Sequence, residues 1–149
     1  MRILFLCLGN ICRSPAAEGV FRTLAANEGV PVTLDSAGTG GWHAGEPPYG
    51  PMQAAAKARG HDLSSLRARQ LSPEDFRSFD LILAMDRQNY RDAQTVRPAD
   101  ATARLEMFLQ SERGVSDVPD PYYTRDFEGC LDIIEAGSRA LLKRLQRAQ

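Results

Sequence analysis

The segment Ile3 to Cys7 constrains this chain most. It is a continuous apolar run of strand length that leads directly into Gly9-Asn10 and then Ser14-Pro15. A strand with no polar alternation must be covered on both faces, which suits the interior of a parallel sheet flanked by helices. Ser14 is a good helix N-cap and Pro15 a good first helical residue. The helix they start runs to about Asn27, with Ala17, Val20, Phe21 and Leu24 at helical spacing, and Gly29 and Pro31 end it.

The alternation continues. Val32 to Ser36 reads as a second strand. Gly38 to Pro51 is a loop rich in Gly and Pro, and loops this long in a compact domain are usually functional. A short helix over about Pro51 to Arg59 stops at Gly60. Ser72-Pro73-Glu74 starts a further helical turn, Asp80 to Met85 is a third buried strand, and Asp86 to Ala93 is helical. Arg104 to Leu109 is a weaker fourth strand. Ser111 to Thr124 is a loop containing Pro119 and Pro121. From about Arg125 the pattern is helical to the C-terminus, with Phe127, Leu131, Ile134, Leu141 and Leu145 on or near one face. Strands alternating with helices predict an α/β fold with a parallel sheet and right-handed crossovers. Its 149 residues fit one domain, 1–149.

Composition narrows the function. The chain is 43% hydrophobic and 25% charged, a globular balance that excludes disorder and coiled coil. Its 18 basic and 19 acidic residues leave a formal charge of -1, so no bulk field favours nucleic acid or anionic lipid. Three cysteines are too few for a disulfide scaffold and predict an intracellular, cytoplasmic chain with reduced thiols. No signal peptide or membrane span is predicted, because Ile3 to Leu8 is too short for either. With only His43 and His61, and no two cysteines at Cys-x-x-Cys spacing, a histidine-rich or Cys-x-x-Cys metal site is excluded. The glycine pattern of a P-loop is absent, and His43 stands where a dinucleotide fingerprint from Gly38 would need its third glycine.

Chemistry is therefore sought where the first strand ends. Ligands of parallel sheets sit outside the carboxyl ends of the strands. Cys7 ends the strand, and the loop from Leu8 to Arg13 enters a helix N-terminus. Free N–H groups at a helix start favour an anion, successive loop N–H groups form an anion nest, and Arg13 adds a planar cationic fork. The same field favours a thiolate at Cys7. A nucleophile inside an oxyanion cradle suits attack on a phosphate ester. The spacing Cys-x5-Arg alone also fits a buried strand cysteine beside a surface arginine. Asp120, followed by Pro121, reads equally as an acid at the same sheet edge and as a turn-forming Asp-Pro.

The stretch Cys7-Leu8-Gly9-Asn10-Ile11-Cys12-Arg13-Ser14-Pro15 resembles the low-molecular-weight protein tyrosine phosphatases. So do Asp35-Ser36-Ala37-Gly38-Thr39, Trp42 with Gly45 and Pro47-Pro48, Arg67-Ala68-Arg69-Gln70-Leu71, Ala84-Met85-Asp86 with Asn89, and Asp120-Pro121-Tyr122-Tyr123. The resemblance implies four parallel strands in the order 2-1-3-4, flanked by helices as in Rossmann-like and flavodoxin-like sandwiches. It implies that Cys7 attacks phosphorus, that Arg13 holds two phosphate oxygens, and that Asp120 serves as general acid and then base, with no metal or cofactor. Leu8, Gly9, Asn10, Ile11 and Cys12 would line the phosphate loop. Asn10 and Ser36 would orient it, and Ser14 would hydrogen-bond the thiolate.

Smaller signals refine the expectation. Trp42, Tyr122 and Tyr123 either wall a cleft deep enough for phosphotyrosine or pack as ordinary loop aromatics. Ile11 stands where the protein-arginine phosphatase branch has Thr, which points to phosphotyrosine. Cys12 is either a small apolar filler or, as in the family, a partner for a protective disulfide with Cys7. Cys130 reads as a helix-packing thiol. Many relatives have His where this chain has Leu66, so Asn10 is expected to lean on Ser36 alone. The implied partner is a tyrosine-phosphorylated protein, with a bacterial tyrosine kinase as a family-level candidate, and a monomer or weak dimer as the working form. Two alternatives are an arsenate reductase of the same fold and a phosphate-binding module without turnover.

Overall fold

The computed structural model describes residues 1–111, 114–115 and 117–148. The main sheet holds β1 (Arg2–Cys7), β2 (Thr33–Gly38), β3 (Leu81–Ala84) and β4 (Arg104–Met107). All neighbours are parallel, in the order β2-β1-β3-β4, as expected. The helices are α1 (Arg13–Asn27), α2 (Gly50–Ala58), α3 (Asp75–Ser78), α4 (Arg87–Val96), α5 (Pro121–Thr124) and α6 (Phe127–Arg147). Among the described residues, no helix is long and apolar enough to cross a membrane.

The apolar run of β1 explains the layering. Successive strand side chains point to opposite faces. Ile3, Phe5 and Cys7 join α1, α2 and α6 on one side, and Leu4 and Leu6 join Phe76, Phe79 and Ala93 on the other. Phe5 is fully buried, its ring 6.0 Å from Phe21 and 6.0 Å from Phe108.

Several expectations shift. Ser14 is not the N-cap: α1 begins at Arg13, the capping position is Cys12, and no side chain caps it. The Ser14 hydroxyl is instead engaged by Cys7 and Asn10. The second strand continues past Ser36 to Gly38 because its parallel register with β1 runs to Cys7↔Gly38. The loop expected over Ser111 to Thr124 contains structure. Gln110–Ser111 (β5) pairs antiparallel with Gly114–Val115 (β6), and α5 follows; residues 112, 113 and 116 lie outside the described residues. In α5, Asp120 is the cap, accepting from the Tyr122 N–H, and Pro121 fills the first turn. The Asp-Pro signal therefore marks a helix start rather than a plain turn.

The order β2-β1-β3-β4 sends the chain from β1 to one side and then back across to the other. The crevice at the carboxyl end of β1 is thus a switch point of the sheet, the usual ligand position. Phe5 ties this strand to α1 through Phe21 and to the residue just after β4 through Phe108, so Phe5→Ala should destabilise the protein by about 3–5 kcal/mol, read as a lowered urea midpoint with an unchanged slope.

Candidate active site

Peptide geometry builds the loop between β1 and α1. The Cys7 and Leu8 carbonyls accept from the N–H groups of Thr39 and Gly40, each at 2.9 Å. The Ile11 carbonyl accepts from Tyr49 at 2.8 Å and the Cys12 carbonyl from Ala16 at 3.1 Å. Among the described residues no peptide bond is cis, and in a trans peptide the C=O and the following N–H point in opposite directions. The N–H groups of Leu8, Gly9, Cys12 and Arg13 therefore face away from those anchors, into the loop. This is a concave anion nest at a helix start.

The residue with reversed backbone is Asn10 (φ 59), not Gly9. Asn tolerates this conformation better than most residues. Gly9 serves a different purpose: a Cβ there would lie 3.1 Å from the His43 ring. Asn10 is 2% exposed and fully engaged. Its Nδ2 donates to Ser14 Oγ at 2.7 Å and Ser36 Oγ at 3.0 Å, and its Oδ1 accepts from the Arg69 N–H at 3.0 Å. The expectation that Asn10 leans on Ser36 alone is corrected. Leu66 packs against the core, and a backbone N–H three residues further on supplies the extra anchor.

Cys7 Sγ receives the Asn10 N–H at 3.3 Å and lies 3.0 Å from Ser14 Oγ. A thiolate has no proton to give, so towards it the Ser14 hydroxyl donates. Arg13 is buried beside it. Its NH1 donates to Asp86 Oδ2 at 2.7 Å and to the Val118 carbonyl at 3.0 Å, while NH2 reaches Asp120 Oδ2 only at 3.4 Å. Burial alone would weaken this cation, but Cys7, Asp86 and Asp120 overcome it and hold the guanidinium firmly charged. NH1 is committed, so the Nε/NH2 edge remains for two oxygens of an anion.

A cleft of about 260 Å³ opens over this machinery. Cys7, Leu8, Gly9, Ile11, Cys12 and Arg13 line it from the loop. Trp42, Asp120, Tyr122 and Tyr123 line its walls, together with His43. Asn10, Ser14 and Ser36 stand behind the loop as supports. Trp42 and Tyr123 are each 72% exposed, so both are rim residues rather than core. Tyr122 packs on Tyr49 with ring centroids 5.3 Å apart, and Tyr49 is the residue bonded to the Ile11 carbonyl. The acid loop and the phosphate loop thus share a support.

Two contributors were not foreseen as site residues. Asp86 uses one oxygen to cap α4, accepting from Asn89 N–H at 2.7 Å, and the other to hold Arg13. Its signal was an Asp-x-x-Asn start just after the third strand, at the same sheet edge as Cys7. His43, which stands in the site-flanking stretch from Gly38 and in place of a third glycine, lines the cleft itself, its Nδ1 2.6 Å from Glu46 Oε2. No spacing signal marks it.

Comparison with known proteins agrees with this geometry. Residues 2–149 match the family model for low molecular weight phosphotyrosine protein phosphatases. The chain is 41% identical to the low molecular weight protein-tyrosine-phosphatase YfkJ of Bacillus subtilis, over 97% of this chain and 96% of that protein. The crystal structure of YfkJ superposes with a TM-score of 0.93 at 40% identity, covering 100% and 96% of the two chains. A protein tyrosine phosphatase from Entamoeba histolytica, with Hepes in its active site, gives 0.90 at 34% identity over 99% and 98%.

The three cysteines are all free and buried, but only Cys7 Sγ meets the Asn10 N–H and the Ser14 hydroxyl. Burial pushes the Cys130 thiol up to about 12, and burial followed by the Cys7 charge pushes Cys12 up as well. Both remain protonated at neutral pH, and a thiol reacts far more slowly than a thiolate. Iodoacetate at pH 7 should therefore alkylate Cys7 and spare Cys12 and Cys130, with inorganic phosphate slowing the reaction. Peptide mapping by mass spectrometry reads this directly, and preferential labelling of Cys130 would contradict it.

Proposed function

The chain belongs to the low molecular weight phosphotyrosine protein phosphatase family and is a phosphatase, and from that premise we propose that one domain, 1–149, hydrolyses phosphotyrosine through a phosphocysteine intermediate. The observation that carries this reading is the convergence of Cys7 Sγ, the inward-facing N–H groups, Arg13 and Asp120 in one cleft.

In the first step the Cys7 thiolate attacks phosphorus while the bond from phosphorus to the phenolic oxygen breaks. Asp120, at the cleft wall, gives its proton to the departing phenolate. Charge accumulates on the equatorial phosphoryl oxygens, within the cradle of the loop N–H groups and the Arg13 guanidinium. In the second step Asp120 takes a proton from water as that water attacks phosphorus. The P–S bond breaks, phosphate leaves, and the thiolate returns to the hydrogen bonds from Asn10 and Ser14. A positioned acid of this kind contributes about 10²–10⁴-fold.

The aromatic rim supports the choice of substrate. Trp42, Tyr122 and Tyr123 stand where a phenyl ring would rest once its phosphate reaches the loop, and the short side chain of phosphoserine would leave them uncovered. The partner is a tyrosine-phosphorylated protein in the cytoplasm, with a bacterial tyrosine kinase as the candidate that the family suggests, and the working unit is a monomer. An arsenate reductase route is disfavoured, because the one thiol beyond Cys7 and Cys12 is Cys130, buried on α6 and held protonated.

Hydrolysis of p-nitrophenyl phosphate in the presence of EDTA tests the scheme. Cys7→Ser should abolish turnover, and Asp120→Ala should reduce kcat by about 10²-fold or more. Freshly reduced wild-type protein without turnover would overturn it.

A further inference from the structure

Asn10 holds a left-handed backbone directly behind the nucleophile, and both N–H donors and the oxygen of its amide are occupied. Two of its anchors, Ser36 Oγ and the Arg69 N–H, belong to separate segments, yet one charged cluster holds both. Arg69 grips Asp75 through two parallel bonds, NH1 to Oδ2 at 3.0 Å and NH2 to Oδ1 at 2.9 Å. Its Nε donates to Asp35 Oδ2 at 3.1 Å. Asp75 is 6% exposed and also accepts from the Ser72 N–H at 2.9 Å. Asp35 accepts, on its other oxygen, from the N–H of Ser36 at 2.8 Å. The Arg69 carbonyl accepts from the Gly38 N–H at 2.8 Å, fastening the same segment to the end of β2.

We infer that Arg69, with Asp75 and Asp35, is a positioning residue: its clamped guanidinium keeps its own peptide N–H on Asn10 Oδ1 and so holds the phosphate loop in shape beneath Cys7. This rests on the site reading proposed above. Bidentate pairing fixes a guanidinium in both position and plane, so the attached backbone has little freedom to withdraw. Were it to withdraw, Asn10 Oδ1 would be a buried acceptor without a partner, a costly state. The chain thus obtains from a backbone donor at residue 69 a support that the side chain of Leu66 has no polar atom to give.

The test is a double-mutant cycle on p-nitrophenyl phosphate turnover. Arg69→Ala should lower kcat roughly 3- to 10-fold, the worth of about one hydrogen bond, with a smaller change in KM. In the Asn10→Ala background the same substitution should change kcat by less than about 1.5-fold, since residues acting through one contact do not add. Arg77→Ala is the control. Arg77 sits on the same short helix α3 as Asp75, and its substitution removes exposed ion pairs to Asp100 and Glu74 but touches nothing of Asn10, so kcat should stay unchanged. An equal loss from Arg69→Ala in both backgrounds, or no loss in a folded Arg69→Ala protein, overturns the inference while the phosphocysteine scheme stands. Turnover retained by Cys7→Ser would instead overturn that scheme. Where Arg69→Ala fails to fold, Asp35→Asn makes the same comparison, because it weakens the clamp at its more exposed partner.

Discussion

A guanidinium with almost no exposed surface must be neutralised where it stands, and this requirement organises the site. Arg13 is 2% exposed. Its partners arrive from different segments: Asp86 follows β3, while the Val118 carbonyl and Asp120 lie between β6 and the first turn of α5. The segments that follow β1, β3 and β6 are thereby drawn to one point. Removing one partner of a buried ion pair leaves an uncompensated charge, which is far costlier than losing a surface pair. Exposed ion pairs such as Arg77 with Asp100 or Arg87 with Asp117 stand in water, where a pair contributes little.

Core and site are continuous. Cys7 is both the last inward residue of β1 and part of the apolar cluster with Phe5, Phe21 and Phe108. The strand packing that fixes Phe5 also fixes where Sγ emerges. Beyond it, support becomes polar: Ser14, Asn10 and Ser36 form a bonded chain that is buried throughout. Networks of this kind rigidify a site only when every member is satisfied, and here the Arg69 N–H completes the last acceptor.

Much of this was legible in the residues. The strand-loop-helix at Cys7 and the parallel sheet follow from hydrophobic pattern and from Gly and Pro placement, which act locally. The pairing of Cys7 with Arg13 is likewise local in sequence. What was hidden was mostly non-local or carried by the backbone. Ser14 looked like a cap because Ser before Pro usually is one, but a tertiary contact to Cys7 claimed its hydroxyl. The support from Arg69 involves a peptide N–H, which every residue but proline carries, so no side-chain identity announces it. Asp86 was visible as a helix start, whereas its second oxygen becomes meaningful only once β3 is known to lie beside β1. The hairpin of β5 and β6 consists of two-residue strands, too short for any alternation to register.

The anchors of the loop between β2 and α2 run mostly from main chain to main chain, with the Gln70 and Gln53 amides adding bonds to the Thr39 and Pro48 carbonyls. Thr39 and Gly40 bond the carbonyls of Cys7 and Leu8, Tyr49 bonds Ile11, and Gly45 and Glu46 exchange bonds with Ala68. Such bonds are indifferent to which side chain sits above them. Trp42 and His43, which line the cleft, are therefore carried by main-chain bonds that neither side chain makes, while Gly9 and Gly40 leave the room that their rings occupy. The protein separates the vocabulary of recognition from the grammar of phosphate transfer: the rim is free to be rewritten for a new protein surface while the cradle beneath it keeps its shape.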